Sequence, residues 1–218
     1  MHNDNLFKWL TKEIADFDRS GYTIQYPPML FWNKYQPEEQ AKVTAAWKEA
    51  LARDDGSLGL YVHIPFCRQR CLYCRYFSVA LGQKCELSRY LRALADEMEI
   101  YRKIFKGRPF RTLYIGGGTP AILSVGQLEK LFSDLYSAFD LRELKQTAFE
   151  GNPDFLDQRK LRLLKKRGVN RLTIGVQSLD CKVIKAVNRY QSADSFLRCF
   201  NEAREAGIEN INVDLMAG

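Results

Sequence analysis

Short apolar runs alternate with amphipathic segments from Leu58 to the end of the chain. Five of the runs have the length of buried strands. They are Leu58–Ile64, Thr112–Ile115, Thr147–Glu150, Arg171–Val176 and Asn210–Leu215. The segments between them predict helices, and strands that alternate with helices favour βα units around a parallel sheet. The pattern therefore predicts an α/β fold.

Local signals at the ends of the predicted helices agree with this interpretation. Ser124 and Gln127 form the pattern of a capping box before a helical repeat of apolar residues. Gly168 and Gly207 lie where C-terminal helix caps belong, and each is followed directly by a predicted strand. This recurrence is a weak internal repeat of one βα unit.

The first 57 residues have a different pattern and predict a helical N-terminal extension. We expect an amphipathic helix at Leu6–Phe17, an aromatic stretch broken by prolines at Tyr22–Tyr35, and a helix near Pro37–Ala52. Turn-forming residues from Asp54 to Ser57 close the extension. The sequence thus predicts an extension over residues 1–57 and an α/β core over residues 58–218.

Composition restricts the function classes. With 218 residues and 46% apolar content, the chain can bury a core. It has no apolar run of the roughly 18 residues that suggest a membrane span, and its N-terminus is too polar for a signal peptide, so we expect a cytoplasmic protein. The net charge of +7 is dispersed among acids, and without a recognisable RNA-binding module a nucleic-acid role is the weakest hypothesis.

Polar residues follow each predicted strand, and in a barrel of βα units active sites gather at the C-terminal strand ends. A cysteine-rich loop follows the first strand, Gly116–Gly118 follow the second, Glu150 ends the third, Gln177 follows the fourth, and Asp214 lies near the end of the fifth. We expect these residues to meet at one edge of the sheet.

The cysteine-rich loop carries the strongest chemical signal. Cys67, Cys71 and Cys74 form a CxxxCxxC array, and three thiolates can hold three corners of a 4Fe–4S cube while the fourth iron stays open. The alternative is a structural zinc site that takes His63 or a distant Cys as its fourth ligand. A disulfide framework is disfavoured because the six Cys are spread over a long chain without a secretory leader.

The array, with Tyr73 before its last Cys, resembles the radical S-adenosylmethionine (SAM) superfamily. The preceding YVHIPFC and the later GGGTP resemble its subgroup around oxygen-independent coproporphyrinogen III oxidase. The resemblance implies a 4Fe–4S cluster on the three Cys, with SAM chelated by the open iron and cleaved by one electron to a 5′-deoxyadenosyl radical. It also implies a partial parallel (β/α) barrel of six units. By this resemblance the chain is the N-terminal part of such a protein, with the barrel truncated after the fifth strand.

The resemblance also implies roles for individual residues. The SAM contacts that it implies are Tyr61, Tyr73, Gly117, Gly118, Thr119, Glu150, Gln177, Arg189 and Asp214. In the oxidase itself, four of these positions, Tyr73, Gln177, Arg189 and Asp214, bind a second SAM, so one or two molecules are expected here. Tyr61 and His63 are the catalytic candidates, and His63 is either a proton donor to the substrate or a buried, hydrogen-bonded histidine.

The leading functional hypothesis is an oxidoreductase that removes hydrogen from a tetrapyrrole, in the manner of coproporphyrinogen III oxidase. A flavodoxin or ferredoxin would supply the electron. The oxidases carry a further Cys soon after the array, whereas this chain continues Arg75-Tyr76-Phe77. Two alternatives therefore stay open, a radical methyltransferase that uses a second SAM and a haem-binding chaperone with little turnover.

Overall fold

The computed structural model describes residues 40–53, 56, 58–82 and 84–217. The chain forms two compact units, residues 1–50 and residues 51–218. In the first unit the described residues are helical and belong to α1, Gln40–Arg53, which confirms the helix predicted near Pro37–Ala52. The predictions for Leu6–Phe17 and Tyr22–Tyr35 lie outside the described residues, and the predicted boundary after residue 57 stays a prediction.

Every predicted strand is present in the second unit. The strands are β1 (Leu58–Ile64), β2 (Phe66–Cys67), β3 (Val79–Ala80), β4 (Phe110–Gly117), β5 (Gln146–Gly151), β6 (Arg171–Gln177) and β7 (Asn210–Leu215). The helices are α2 (Lys84–Ile104), α3 (Val125–Ala138), α4 (Gln158–Lys166), α5 (Cys181–Ala186) and α6 (Ala193–Glu205), with 3₁₀ turns at Pro120–Ile122 and Pro153–Phe155. Strands and helices alternate, as the pattern predicts.

The main sheet has the order β1-β4-β5-β6-β7, and all of its strands are parallel. Because successive strands in this order are neighbours, their carboxyl ends lie along one edge of the sheet. Strands β1 and β7 are not paired with each other in the described part of the chain, so the five strands form an open sheet. This is the arrangement expected for a partial barrel of βα units.

Apolar residues of the strands and helices form one core. The sheet contributes Ile64, Leu113, Ile115, Phe149, Leu172 and Ile174, and the helices contribute Leu128, Phe132, Leu135, Leu161 and Leu164, all with no exposed surface. Strands of a parallel sheet are covered by the helices that connect them, which accounts for their nearly continuous apolar runs. No helix among the residues described is both long and apolar enough to cross a bilayer.

The predicted helix ends are confirmed. Ser124 and Gln127 form a capping box at the start of α3. Gly168 and Gly207 follow α4 and α6 with φ of 86° and 83°, and the N–H of the next residue, Val169 or Ile208, donates to a carbonyl inside the helix. Both ends are Schellman caps, which stop the helix and direct the chain into β6 or β7.

We expect Gly168→Ala to lower the free energy of unfolding by about 1–2 kcal/mol, because an L side chain is strained at this positive φ. The control is Gly126→Ala in the first turn of α3, where a Cβ would meet open space; it should raise the free energy of unfolding by roughly 0.5 kcal/mol. Urea unfolding followed by circular dichroism measures both. Equal effects of the two substitutions would contradict the assigned cap.

Candidate active site

A cavity of about 420 Å³ lies at the carboxyl ends of the strands. The catalytic, SAM-binding and metal-ligand candidates all line this cavity, except His63. They are Tyr61, Cys67, Cys71, Tyr73, Cys74, Gly117, Gly118, Thr119, Glu150, Gln177, Arg189 and Asp214. Residues that are widely separated in the sequence are therefore neighbours here, because most of them lie near the carboxyl end of a strand in one parallel sheet.

The cysteine loop, residues 68–78, is closed at its base by the short pair β2 and β3. Val79 N donates to Pro65 O at 2.8 Å, and Leu81 N donates to Cys67 O at 2.8 Å. Inside the loop a turn joins Cys74 N to Cys71 O at 3.2 Å. The loop therefore leaves and rejoins the fold at fixed points, while its middle contains no regular element.

The three Cys of the array, Cys67 at the end of β2 and Cys71 and Cys74 in the loop, are free and half-buried. Thr119 Oγ1 donates to Cys67 Sγ at 3.5 Å, and Arg189 Nη1 donates to Cys71 Sγ at 3.4 Å. Burial raises the pKa of Cys67, while hydrogen bonds from Thr119 and Ser78 oppose that rise. A bound metal would deprotonate such thiols outright, and donors to sulfur stabilise the thiolate form.

The donor set fits a cluster better than a single ion. No three His, Cys, Asp or Glu side chains in the described ranges are arranged to hold one metal ion. A 4Fe–4S cube does not require this, because each thiolate binds a different iron. Since a carbonyl only accepts, His63 Nε2 donates to Phe77 O at 2.9 Å, which leaves Nδ1 of the neutral ring to accept from Tyr61 Oη at 3.0 Å. With both nitrogens engaged, His63 is a poor fourth ligand for zinc.

The glycine turn, Gly116–Gly118, lies directly against the end of β1 and the first Cys of the array, Cys67. A Cβ on Gly117, at φ 119°, would come 2.9 Å from Ile64 O. A Cβ on Gly118 would come 2.8 Å from Phe66 O and 2.9 Å from Cys67 Sγ. Side chains at these positions would displace the loop or fill the cavity, so two successive residues without Cβ atoms are required here.

Glu150 is held in the cavity by two donors. Gly117 N donates to Oε2 at 3.1 Å, and the Tyr114 hydroxyl donates to Oε1. Burial and the nearby Glu150 raise the pKa of Tyr114 above its usual value, so this phenol stays a proton donor at neutral pH. Burial and the Glu150 charge likewise raise the pKa of Tyr61, to about 12. Glu150 is therefore an acceptor held by Gly117 N and by the protonated Tyr114 phenol.

The β6 and β7 side of the cavity carries Gln177, Arg189 and Asp214. Gln177 has φ of 62°, and its Oε1 atom is buried without a hydrogen-bond partner among the described residues. An unpaired buried acceptor at a strained position is characteristic of a ligand site. Arg189 Nη2 donates to Gly175 O at 2.9 Å, and Gly175 pairs with Asp214 in the register of the two strands.

Sequence reasoning missed several residues of the cavity. Tyr114 holds Glu150, and the available signal was its position on the same face of β4 as Gly116. Asn152 also lines the cavity, and it contacts the buried Gln191: Asn152 Nδ2 donates to Gln191 Oε1 at 3.2 Å, and Arg189 Nε donates to the same oxygen at 2.8 Å. No motif marks either residue, since their roles depend on packing between loops.

The other cysteines lie away from this site as far as they are described. Cys199 is fully buried in the apolar core, and Cys181 is exposed at the start of α5. The side chain of Cys85 lies outside the description. Neither Cys181 nor Cys199 lines the cavity as a fourth ligand.

Comparison with known proteins gives consistent matches. A family model described as the radical SAM superfamily matches residues 61–218. The chain is 41% identical over 161 residues to the heme chaperone HemW of Bacillus subtilis, covering 72% of this chain and 42% of that protein. It is 33% identical over 213 residues to the oxygen-independent coproporphyrinogen III oxidase of Escherichia coli, covering 96% of this chain and 45% of that protein.

A solved structure confirms the predicted fold class. Coproporphyrinogen III oxidase (HemN) from Escherichia coli, described as a radical SAM enzyme, superposes with a TM-score of 0.78 at 32% identity. The match covers 91% of this chain and 44% of that protein. The chain thus spans less than half the length of these relatives.

We expect Cys71→Ala to abolish cluster assembly, because the variant keeps only two of the three thiolates that anchor the cube. Anaerobic reconstitution followed by iron and sulfide analysis and a visible spectrum measures this. Cys181→Ala is the matched control and should load like the parent chain, since Cys181 is exposed and outside the cavity. An unchanged spectrum in Cys71→Ala would contradict the assignment of the loop.

Proposed function

The chain belongs to the radical SAM superfamily, whose cofactors are a 4Fe–4S cluster and SAM, and we propose that it cleaves SAM reductively and removes hydrogen from a tetrapyrrole substrate. The observation that supports this most directly is the meeting of the cysteine loop, the glycine turn and Glu150 in one cavity. Each of the three would be an ordinary feature alone. Together they provide metal ligands, close backbone approach and a fixed carboxylate.

Cys67, Cys71 and Cys74 would hold the cluster, because three thiolates can bind three of its four irons. When bound, a reduced cluster supplies the electron that splits a carbon–sulfur bond of SAM and so provides the 5′-deoxyadenosyl group that removes hydrogen. The chain's residues hold the cysteine loop against the glycine turn, which keeps the thiolates at the cavity wall. We propose that a flavodoxin or ferredoxin delivers the electron.

The walls of the cavity suit the charges of SAM. Glu150 has both carboxylate oxygens anchored by donors from one side and can still accept from an ammonium group, because each oxygen has two lone pairs. Arg189 suits a carboxylate by its positive charge, although its guanidinium N–H groups also donate to Gln191, Cys71 and Gly175. Gln177 Oε1 is available to a donor of the ligand. We assign these residues, with Gly117, Gly118, Thr119, Tyr73 and Asp214, to SAM binding.

Tyr61 and His63, the two catalytic candidates, have different surroundings and therefore different proposed roles. Tyr61 lines the cavity and is 57% exposed, whereas the His63 ring is engaged with Tyr61 and with Phe77 O. We propose that Tyr61 contacts the substrate and that His63 positions the Tyr61 hydroxyl. The raised pKa of Tyr61, about 12, keeps this hydroxyl protonated at neutral pH.

A haem-binding chaperone is the second candidate, and one specific observation favours it. The relative named heme chaperone HemW is 41% identical to this chain, and Arg75-Tyr76-Phe77 stand where the oxidases carry a further Cys. In this alternative the chain would keep the cluster, cleave little SAM and bind haem stoichiometrically.

Product analysis separates the two candidates. The anaerobically reconstituted chain is mixed with dithionite, SAM and coproporphyrinogen III, and the products are identified by mass spectrometry. We expect 5′-deoxyadenosine together with decarboxylated porphyrinogen. Stoichiometric haem binding with negligible 5′-deoxyadenosine would instead select the chaperone, and S-adenosylhomocysteine would indicate a methyltransferase.

We expect Tyr114→Phe to raise the Kd of SAM roughly tenfold, the factor that corresponds to about 1.4 kcal/mol, because Glu150 loses one of its two donors. Equilibrium binding of SAM to the cluster-loaded chain measures this. Tyr136→Phe is the matched control: its hydroxyl donates to Arg167 O at 2.9 Å outside the cavity, so the Kd should not change. Equal affinities for Tyr114→Phe and the parent chain would refute the role given to Tyr114.

A further inference from the structure

The end of α5 contacts the cysteine loop through three hydrogen bonds that join distant parts of the chain. Asn188 Nδ2 donates to Arg70 O at 2.8 Å, and Gln69 Nε2 donates to Asn188 O at 2.5 Å. In addition, Leu72 N donates to Val187 O at 3.2 Å. The contacts from Gln69 to Leu72 surround the second Cys of the array, Cys71.

The backbone of Asn188 forms the C-terminal cap of α5. Asn188 has φ of 59°, its N–H donates to Lys185 O at 3.0 Å, and Arg189 N donates to Ile184 O at 2.9 Å. This is the same Schellman cap that Gly168 and Gly207 form after α4 and α6. Asparagine is the residue besides glycine that adopts this conformation most readily.

The side chain of Asn188 connects this cap to the cysteine loop. A glycine would serve the cap equally well, but it would lack the amide that donates to Arg70 O. The next residue, Arg189, then lies beside Cys71 and donates to its sulfur. The cap therefore directs one side chain to the backbone of the cysteine loop and the following side chain to a ligand sulfur.

The cysteine loop needs such support at Cys71. Its base is held by β2 and β3, and Cys67 lies against the glycine turn. Cys71 is further from the base, and apart from the turn to Cys74 its segment has no ladder of its own. Ordering a segment of this kind costs conformational entropy, which contacts from outside the loop must offset.

We propose that Asn188 and Gln69 form an amide clamp that holds the Cys71 segment of the loop in place for the cluster. Both are positioning residues, since they act through the backbone of the loop and not on the reacting atoms. The proposal rests on the proposed function only in that the loop's ligand is the cluster.

The first test uses Asn188→Gly, which keeps the positive φ and removes only the amide. Loss of one hydrogen bond should make a chelator remove iron from the loaded chain roughly fivefold faster and speed amide hydrogen exchange in residues 70–72 by a similar factor. Gln69→Leu, which removes the other donor at a position without backbone strain, should have the same two effects.

The matched control is Asn170→Ala. Asn170 joins backbone groups at the opposite end of the sheet in the same manner, since its Oδ1 accepts from Thr147 N and its Nδ2 donates to Lys145 O, both at 2.9 Å. This substitution should lower the unfolding midpoint without changing the rate of iron loss or exchange in residues 70–72.

The outcomes separate the clamp from general stability and from the proposed function. The clamp would be overturned if both Asn188→Gly and Gln69→Leu lose iron and exchange amide hydrogens at the rates of the parent chain. It would also be overturned if Asn170→Ala loses iron faster in proportion to its lower unfolding midpoint. If the parent chain takes up no cluster, the proposed function fails, and the exchange of residues 70–72 alone then decides for or against the clamp.

Discussion

The site depends on the close approach of two backbone segments, the end of β1 and the glycine turn after β4. Gly118 N donates to Ile64 O at 2.8 Å, and Ile64 pairs with Gly117 in the parallel register. Backbone atoms cannot rotate away as side chains can, so the separation is fixed once the strands pair. Because only two residues separate Cys67 from the end of β1, this contact also sets the first thiol against Thr119.

The same register determines the electrostatics of the cavity. Strand β5 lies beside β4, which brings the Glu150 carboxylate within reach of both Gly117 N and the Tyr114 hydroxyl. A half-buried carboxylate is costly unless it accepts hydrogen bonds, and these two donors offset that cost. Arg189 lies on the β6 side of the cavity. Opposite charges on two walls suit a ligand that is itself zwitterionic, which supports the proposed binding of SAM.

The sequence predicts the elements of this fold better than the contacts between their side chains. All five main strands follow from the alternation of short apolar runs with amphipathic segments, because each strand packs apolar residues against the core. The meeting of polar residues at one edge of the sheet is likewise predictable, because the carboxyl ends of parallel strands lie together. The Tyr114–Glu150 and Asn188–Arg70 contacts are not, because each needs the register between elements that are far apart in sequence. For His63 the sequence leaves two roles open, a proton donor to the substrate and a buried, hydrogen-bonded histidine, and only the structure reveals the contacts of its ring with Tyr61 and Phe77 O.

The cysteine loop is held on two sides, by the glycine turn at Cys67 and by the end of α5 at Cys71. A third contact, from His63 to Phe77 O, fixes the backbone of its last part while the side chains of Tyr76 and Phe77 stay 71% and 74% exposed. Aromatic side chains on a fixed backbone present a flat apolar surface at little entropic cost, and such surfaces stack on planar ring systems. Tyr76 also lines the cavity. The exposed rings of Tyr76 and Phe77 are thus available to the tetrapyrrole substrate that we propose.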